Sequence, residues 1–265
     1  MSVRRRRLLA RALPIALMLA GGAQSIAEAA DLADLVARAK PSVLLVGTYA
    51  ATDSPRFVFR GTGFVVGDGN LAITNMHVLP DPEALAGASG RQLMLQVRQP
   101  GSKEWNLRAA TVLARDRIHD LALVRFEGSA VPPLALAASE RAREGAEIAI
   151  MGFPLGGALG FSTVTHHGVL AAITGIALPP PVASALNERA IRQLREGTFD
   201  IYQLDATAYP GNSGGPVFDV ASGEVLGILN MVLVKGSKET ALSQPSGISY
   251  AIPAYFAKQL LNEPH

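Results

Sequence analysis

Residues 211–216 read Gly-Asn-Ser-Gly-Gly-Pro, and this short stretch gives the first indication of the fold. Its glycines let the backbone adopt turns that other residues avoid. The N–H groups of Gly211 and Ser213 can therefore converge on one point, with Asn212 shaping the loop between them. Ser213 is thus a candidate nucleophile. The Gly-x-Ser-x-Gly pattern also occurs in the unrelated α/β-hydrolases. Other parts of the sequence are therefore needed to distinguish the α/β-hydrolase fold from other serine-hydrolase folds.

A histidine and an aspartate precede this serine in the chain. A serine hydroxyl is a weak nucleophile at neutral pH and needs a nearby base, a role suited to His77 at the end of a predicted strand. Asp120, which precedes an apolar run, is the candidate carboxylate that orients the imidazole. An α/β-hydrolase requires the order Ser, acid, His, but after Ser213 the next histidine is His265. We therefore disfavour a serine esterase.

The pattern of apolar residues predicts an all-β chain in two halves. Short apolar stretches alternate with turn residues over 42–126 and again over 145–252, with an Ala- and Pro-rich linker at 128–144. This organisation favours two small β-barrels with a cleft between them. Individual strands are predicted at, among others, 60–66, 109–113 and 162–173, and helices are predicted at 31–40, 182–196 and 254–261.

The basic charge of the chain belongs to its first residues. Residues 1–29 hold five arginines and one glutamate, and the remainder has an excess of two acidic residues. We therefore infer no nucleic-acid partner. Arginines at 4–7, an apolar run at 13–20 and Ala27-Glu28-Ala29 fit a signal peptide at 1–29, so membrane attachment is expected only if this leader is uncleaved. The chain has no cysteine, which favours a bacterial periplasmic or secreted protein without disulfides.

Several motifs occur in an order typical of one protein superfamily. They are Gly61-Thr62-Gly63-Phe64, Thr74-Asn75-Met76-His77-Val78, Asp120-Leu121-Ala122-Leu123, Gly211-Asn212-Ser213-Gly214-Gly215-Pro216 and Gly223-Glu224-Val225-Leu226-Gly227. Together they resemble the chymotrypsin-like serine proteases, and within them the bacterial HtrA (Do-like) proteases. The resemblance covers about residues 31–262. It implies two six-stranded antiparallel β-barrels with short terminal helices.

The resemblance also implies a function and a role for each site residue. The expected activity is serine endopeptidase cleavage of protein or peptide substrates, including unfolded ones, through an acyl-enzyme, in periplasmic quality control or processing. His77 would act as base and then acid, Asp120 would orient it, and Ser213 would be the nucleophile. The N–H groups of Gly211 and Ser213 would form the oxyanion hole, with Asn212 shaping it. No metal or cofactor is expected.

Two differences from related proteases limit which of their properties are expected for this chain. Digestive enzymes have Asp before the nucleophile, which pairs with a new N-terminal ammonium, whereas this chain has Asn212. We therefore predict that no activating cleavage beyond signal removal is needed. HtrA proteases usually continue into PDZ domains, whereas this sequence ends at His265. PDZ-based regulation is not carried over, and the trimeric assembly of the family stays open.

The substrate pocket is predicted from the same resemblance. Its floor falls on Thr207, six residues before the serine, and one wall on Asn230, Met231 and Val232. No acidic residue occupies the floor position, so a pocket for Lys or Arg is disfavoured. We expect cleavage after small or medium aliphatic residues.

The other titratable residues near these motifs are predicted to be structural. His119 is expected to be exposed, because neighbours on a strand point to opposite faces. His166 and His167 lack the ligand spacing of a metal site and are expected to be an ordinary strand or loop pair. Asp116 and Asp205 are expected to be turn or strand-end carboxylates. A catalytically silent protein-binding module on a protease fold remains the alternative function.

Overall fold

The structure is a computed structural model that describes residues 32–86, 90–98, 104–138, 142–156, 160–176, 199–230 and 247–264. The predicted signal peptide at 1–29 and the predicted helix at 182–196 lie outside these residues. Two short 3₁₀ helices, Lys40–Ser42 and Met76–Val78, and three α-helices are described. The α-helices are α1 (Leu32–Ala39), α2 (Pro82–Ala86) and α3 (Ala254–Asn262).

The strands form two closed six-stranded barrels. The first barrel consists of β1 (Val43–Tyr49), β2 (Phe57–Val66), β3 (Leu71–Asn75), β4 (Gln92–Arg98), β5 (Trp105–Asp116) and β6 (Leu121–Phe126). The second consists of β7 (Glu147–Gly152), β8 (Val164–Ile176), β9 (Phe199–Asp205), β10 (Pro216–Asp219), β11 (Val225–Leu229) and β12 (Ile248–Pro253).

Both barrels have the same strand order. The first runs β1-β2-β3-β6-β5-β4 and the second β10-β11-β12-β9-β8-β7, and each strand pair is antiparallel. Closure leaves neither barrel with an unpaired edge. The predicted fold class, two six-stranded antiparallel barrels of the chymotrypsin type with short helices at both ends, is confirmed.

One hydrophobic cluster joins the two barrels. It includes Phe64 and Ile73 from the first barrel together with Met151, Phe153 and Phe218 from the second. Each barrel also has a smaller apolar cluster of its own. The residues 61–66 of β2 are buried at consecutive positions. A strand with one face toward water would alternate instead, so this part of β2 is covered on both faces.

The linker between the barrels is extended and tied to both of them. The amide of Leu134 donates to the carbonyl of Val65 across 2.9 Å in the first barrel. Ala137 donates to the carbonyl of Val225 across 2.9 Å in the second. The linker therefore connects β2 of the first barrel to β11 of the second through backbone hydrogen bonds. Both strands lead to the candidate site.

One strand is longer than its sequence pattern indicated, and another is displaced along the chain. The strand predicted at 109–113 extends over Trp105–Asp116, and the one predicted at 162–173 is Val164–Ile176. Each contains a register shift, between Val112 and Ala114 and between Leu170 and Ala172. A bulge interrupts the alternation of apolar and polar residues, so the predicted end of the first strand falls at its register shift, although the strand continues through it.

Candidate active site

His77 lies in a short turn directly after strand β3. β3 ends at Asn75, and the 3₁₀ turn Met76–Val78 follows directly. The turn is anchored by Met76, whose amide donates to the carbonyl of Asp120 across 2.9 Å. The side-chain amide of Asn75 donates to the same carbonyl across 3.1 Å. The backbone of Asp120 thus fixes the turn that carries the histidine.

The carboxylate of Asp120 contacts His77 twice. Its Oδ1 accepts a hydrogen bond from the backbone N–H of His77 across 2.9 Å, and its Oδ2 lies 2.5 Å from Nδ1 of the imidazole. Asp120 has φ of 52°, in the left-handed region, which Asp enters more readily than most residues. With Nδ1 held by the carboxylate, Nε2 is left to act as a base.

Asn230 is a third partner of this pair that the sequence did not reveal as such. It follows β11, and its Nδ2 donates to Oδ2 of Asp120 across 2.9 Å. Its side chain is fully buried. Its side-chain amide is thus directed at the carboxylate of Asp120, while the placement of residue 230 in one wall of the substrate pocket stays a prediction. A polar residue directly after an apolar strand was the available signal.

Ser213 is placed beside the histidine turn by the backbone of β2. The amide of Thr62 donates to the carbonyl of Ser213 across 2.9 Å. The next residue, Gly214, donates to the carbonyl of Leu229 across 2.9 Å. Gly214 has φ of 83°, and a Cβ there would collide with the backbone of β2 and with Thr74. The serine segment is thus packed against the middle of β2 and the end of β3, and β3 leads directly to His77.

The loop before Ser213 is held by two of its carbonyl groups. Leu155 N–H donates to the carbonyl of Pro210 across 2.8 Å, and Thr62 Oγ1 donates to that of Gly211 across 2.7 Å. In a trans peptide the N–H points away from the preceding carbonyl, so the N–H of Gly211 is directed away from Leu155. Among the described residues, neither this N–H nor that of Ser213 donates a hydrogen bond. Both are available to an oxyanion.

Asn212 fills the space behind this loop. It is fully buried, and its side-chain amide has no hydrogen-bond partner within the described part of the chain. A Cβ at Gly152 would lie only 2.8 Å from its Oδ1, so the close approach depends on glycine at that position. A side chain enclosed in this way fixes the path of the backbone between Gly211 and Ser213.

Residues 61–228 match a family model described as a trypsin-like peptidase domain. This match covers more than half of the chain and spans His77, Asp120 and Ser213. The chain belongs to the trypsin-like peptidase family.

Curated relatives of this trypsin-like peptidase are named as serine proteases. Serine protease HTRA3 from Homo sapiens is 31% identical over 88% of this chain and 44% of its own length. A probable periplasmic serine endoprotease, DegP-like, from Pseudomonas fluorescens is 28% identical over 77% of this chain and 34% of its own length. The chain therefore spans less than half of the length of these relatives.

The fold has a match among solved structures. An HtrA-type protease with tripeptide superimposes with a TM-score of 0.59 at 24% identity, covering 86% of this chain and 62% of that one. This likeness supports the two-barrel fold of this trypsin-like peptidase.

The remaining predicted pocket residues are only partly described. Thr207 is half-buried in the segment between β9 and the nucleophile, and its role as the pocket floor stays a prediction. Met231 and Val232 lie outside the described residues.

His119 is not exposed, contrary to the expectation from strand alternation. Its Nδ1 lies 2.5 Å from Oδ2 of Asp116, and its ring stacks on Phe256 of α3 with centroids 3.5 Å apart. Strand alternation does not apply because residues 117–120 form a turn. Burial acts to raise the pKa of Asp116, but hydrogen bonds from the ring and backbone of His119 outweigh it and lower the pKa.

The paired histidines lie on β8. His166 is half-buried near Tyr209, and burial lowers its pKa, whereas His167 faces Glu147 with 3.7 Å between His167 Nε2 and Glu147 Oε2. Within the described ranges, no three metal-ligating side chains converge, and no helix is long and apolar enough to cross a membrane.

Proposed function

We propose that this chain is a serine endopeptidase that hydrolyses peptide bonds through an acyl-enzyme. The observation that carries the proposal is the carboxylate of Asp120, which holds both the backbone N–H and Nδ1 of His77. A lone carboxylate–histidine pair would have many explanations. Here it lies beside the Ser213 segment, whose preceding loop has two N–H groups available, and this combination is what acyl transfer requires.

The reaction follows from these positions. Ser213 Oγ attacks the carbonyl carbon of the scissile bond while its proton passes to Nε2 of His77. Asp120 stabilises the imidazolium that forms. The carbonyl oxygen becomes an oxyanion, which the N–H groups of Gly211 and Ser213 bind. His77 then gives its proton to the leaving nitrogen as the C–N bond breaks. A water molecule, activated by His77, hydrolyses the acyl-enzyme and restores Ser213.

The proposed substrates are proteins or peptides, including unfolded chains, in an exported setting. The sequence pattern at 1–29 fits a signal peptide, and the matched Pseudomonas fluorescens relative is named as periplasmic. These two observations support a role in periplasmic quality control or processing. We further propose cleavage after small or medium aliphatic residues, since Thr207 and not an acid occupies the expected pocket floor.

Casein digestion with three matched proteins tests the proposal. The wild type should degrade denatured casein, and Ser213→Ala should not. Ser129→Ala removes an exposed serine hydroxyl in the linker and should digest casein at the wild-type rate. If Ser213→Ala digests casein as fast as the wild type, the proposed function is wrong. If neither digests it, the protein is a binding module and not an active protease.

The cleavage products test the specificity part separately. Mass spectrometry of the casein fragments should show Ala, Val, Leu or similar aliphatic residues at the cleaved position. A profile dominated by Lys or Arg would contradict the proposed pocket while leaving the endopeptidase activity intact. Protein starting near residue 30 should be active without further trimming, because Asn212 cannot form the ion pair that an activating cleavage provides.

A further inference from the structure

Arg60 holds the carbonyl groups that directly follow His77. Its Nε donates to the carbonyl of Val78 across 2.6 Å, and its Nη2 donates to that of Leu79 across 3.1 Å. Arg60 nevertheless remains exposed as a residue. A guanidinium has five N–H donors, and these bonds use two of them. The cation is therefore fixed at the rim of the site with donors left for a second acceptor.

The backbone next to Arg60 lies between the nucleophile and the histidine turn. The backbone N–H of Thr62 donates a hydrogen bond to the carbonyl of Ser213. Gly61 lies between Arg60 and Thr62, and a Cβ at Gly61 would lie 2.7 Å from a methyl group of Val78 and 3.1 Å from the carbonyl of Ser213. Residues 60–62 thus run in the gap between the two segments. The side chain of Arg60 points to the histidine side of that gap.

The chemistry determines which half of a substrate meets this side. His77 has to deliver a proton to the leaving nitrogen, so that nitrogen must lie within hydrogen-bond reach of its imidazole. The residues that follow the scissile bond therefore continue past the histidine turn and the start of β2. The cation of Arg60 lies on the same side, because it bonds the carbonyl groups of Val78 and Leu79 directly after His77.

The charge at this position is positive and only partly balanced. Partial burial lowers the pKa of Arg60, and the carboxylate of Asp81 raises it; the guanidinium stays charged at neutral pH in either case. Among the described residues, no carboxylate forms an ion pair with Arg60. Its backbone bonds hold the planar group in place, so a partner would bind with little further loss of side-chain freedom.

We propose that Arg60 is a specificity-determining residue that binds a carboxylate on the leaving side of the substrate. Asp or Glu at the first or second position after the cleaved bond is therefore preferred. The inference rests on the proposed function, since only a peptide substrate has a leaving segment. The fork of an arginine suits a carboxylate better than the point charge of a lysine does.

Three matched peptides test this subsite. They share an aliphatic residue at the cleaved position and differ only at the second residue after it, which is Glu, Gln or Lys. The wild type should cleave the Glu peptide with a kcat/KM about fivefold above that of the Lys peptide, as one partly screened ion pair allows. Arg60→Gln should remove this ratio, and Arg60→Lys should keep part of it. Raising the salt concentration should reduce it.

Two further variants make the outcome specific. Asp81→Asn removes the competing carboxylate and should increase the Glu preference. Arg125→Gln removes an equal charge from the Asp68 ion pair, at the far end of β3, and should leave the ratio unchanged.

Equal wild-type rates on the Glu and Lys peptides would overturn the inference alone. A uniform loss in Arg60→Gln with the ratio retained would also overturn it, because Arg60 would then only support the histidine turn. If the wild type cleaves none of the peptides, the proposed function fails as well.

Discussion

The side-chain amide of Asn230 donates a hydrogen bond to Oδ2 of Asp120 across 2.9 Å, with the side chain fully buried. This oxygen is the one that faces Nδ1 of His77. Asn230 therefore acts as a positioning residue, which holds the carboxylate of Asp120 against the imidazole of His77.

Replacing Asn230 by Ala should lower kcat/KM about 10- to 100-fold. A hydrogen bond to a charged group contributes about 1.5–3 kcal/mol, and its loss leaves the carboxylate of Asp120 less well oriented. The loss should appear mainly in kcat, because Asn230 binds the carboxylate and not the substrate. Asn230→Thr, which retains a donor, should lose less. Activity within twofold of the wild type in Asn230→Ala, measured on a folded protein, would contradict this role.

Replacing Gly211 by Ala should abolish most of the activity without unfolding the protein. Gly211 has φ of 103°, and a Cβ would collide with the carbonyl of Phe153 and lie 3.2 Å from the ring of Phe59. The loop must shift, which moves an oxyanion donor, so kcat should fall about 100-fold or more.

Gly145→Ala is the matched control for this substitution. Gly145 has φ of 85°, but nothing lies within 4 Å of a Cβ at that position. The variant should therefore lose about 1 kcal/mol of stability from backbone strain and keep its kcat/KM. Equal effects of the two variants on kcat would show that strain alone, and not the position of the Gly211 N–H, determines the loss.

The carboxylate of Asp116 should make the stability of the protein depend on acid pH. Its folded pKa lies below the ordinary value, so its contribution is fully present above about pH 4 and is lost as the pH falls through the folded pKa. Asp116→Asn should reduce the free energy of unfolding by about 1–2 kcal/mol at pH 5, and the difference from the wild type should shrink toward pH 2.

Urea denaturation at a series of pH values measures this dependence. Asp205→Asn, at an exposed carboxylate on β9, is the control and should change stability by less than about 0.5 kcal/mol at pH 5. A difference between Asp116→Asn and the wild type that stays constant from pH 5 to pH 2 would contradict the pKa shift.

The fold and three of the site residues were predictable because their signals are local. His77, Asp120 and Ser213 each lie within a short motif, and their order in the chain selects the two-barrel fold. The bond between Asn230 and Asp120 was not predicted, because the two residues lie 110 positions apart and meet only in the tertiary structure. His119 was misjudged because the alternation rule requires a strand, and the residue lies in a turn.

The length of β5 and the hydrogen bonds that hold the loop before Ser213 were hard to predict from the sequence, because they are not encoded in a single short motif. β5 continues through a register shift that hides its periodicity. The bond from Leu155 to the carbonyl of Pro210 joins two loops of the second barrel that no sequence pattern relates. Arg60 has no motif of its own, and its relation to the carbonyl of Val78 becomes visible only when β2 and the histidine turn are seen together.

The most direct test of the roles proposed for His77, Asp120 and Ser213 is to map the residue that a fluorophosphonate modifies covalently. The folded wild type should acquire one adduct per chain, and peptide mapping by mass spectrometry should place it on Ser213. His77→Ala should acquire it far more slowly, because Oγ then has no base. An adduct on a different serine, or casein digestion by a protein that acquires no adduct, would contradict the assignment of Ser213 as the nucleophile.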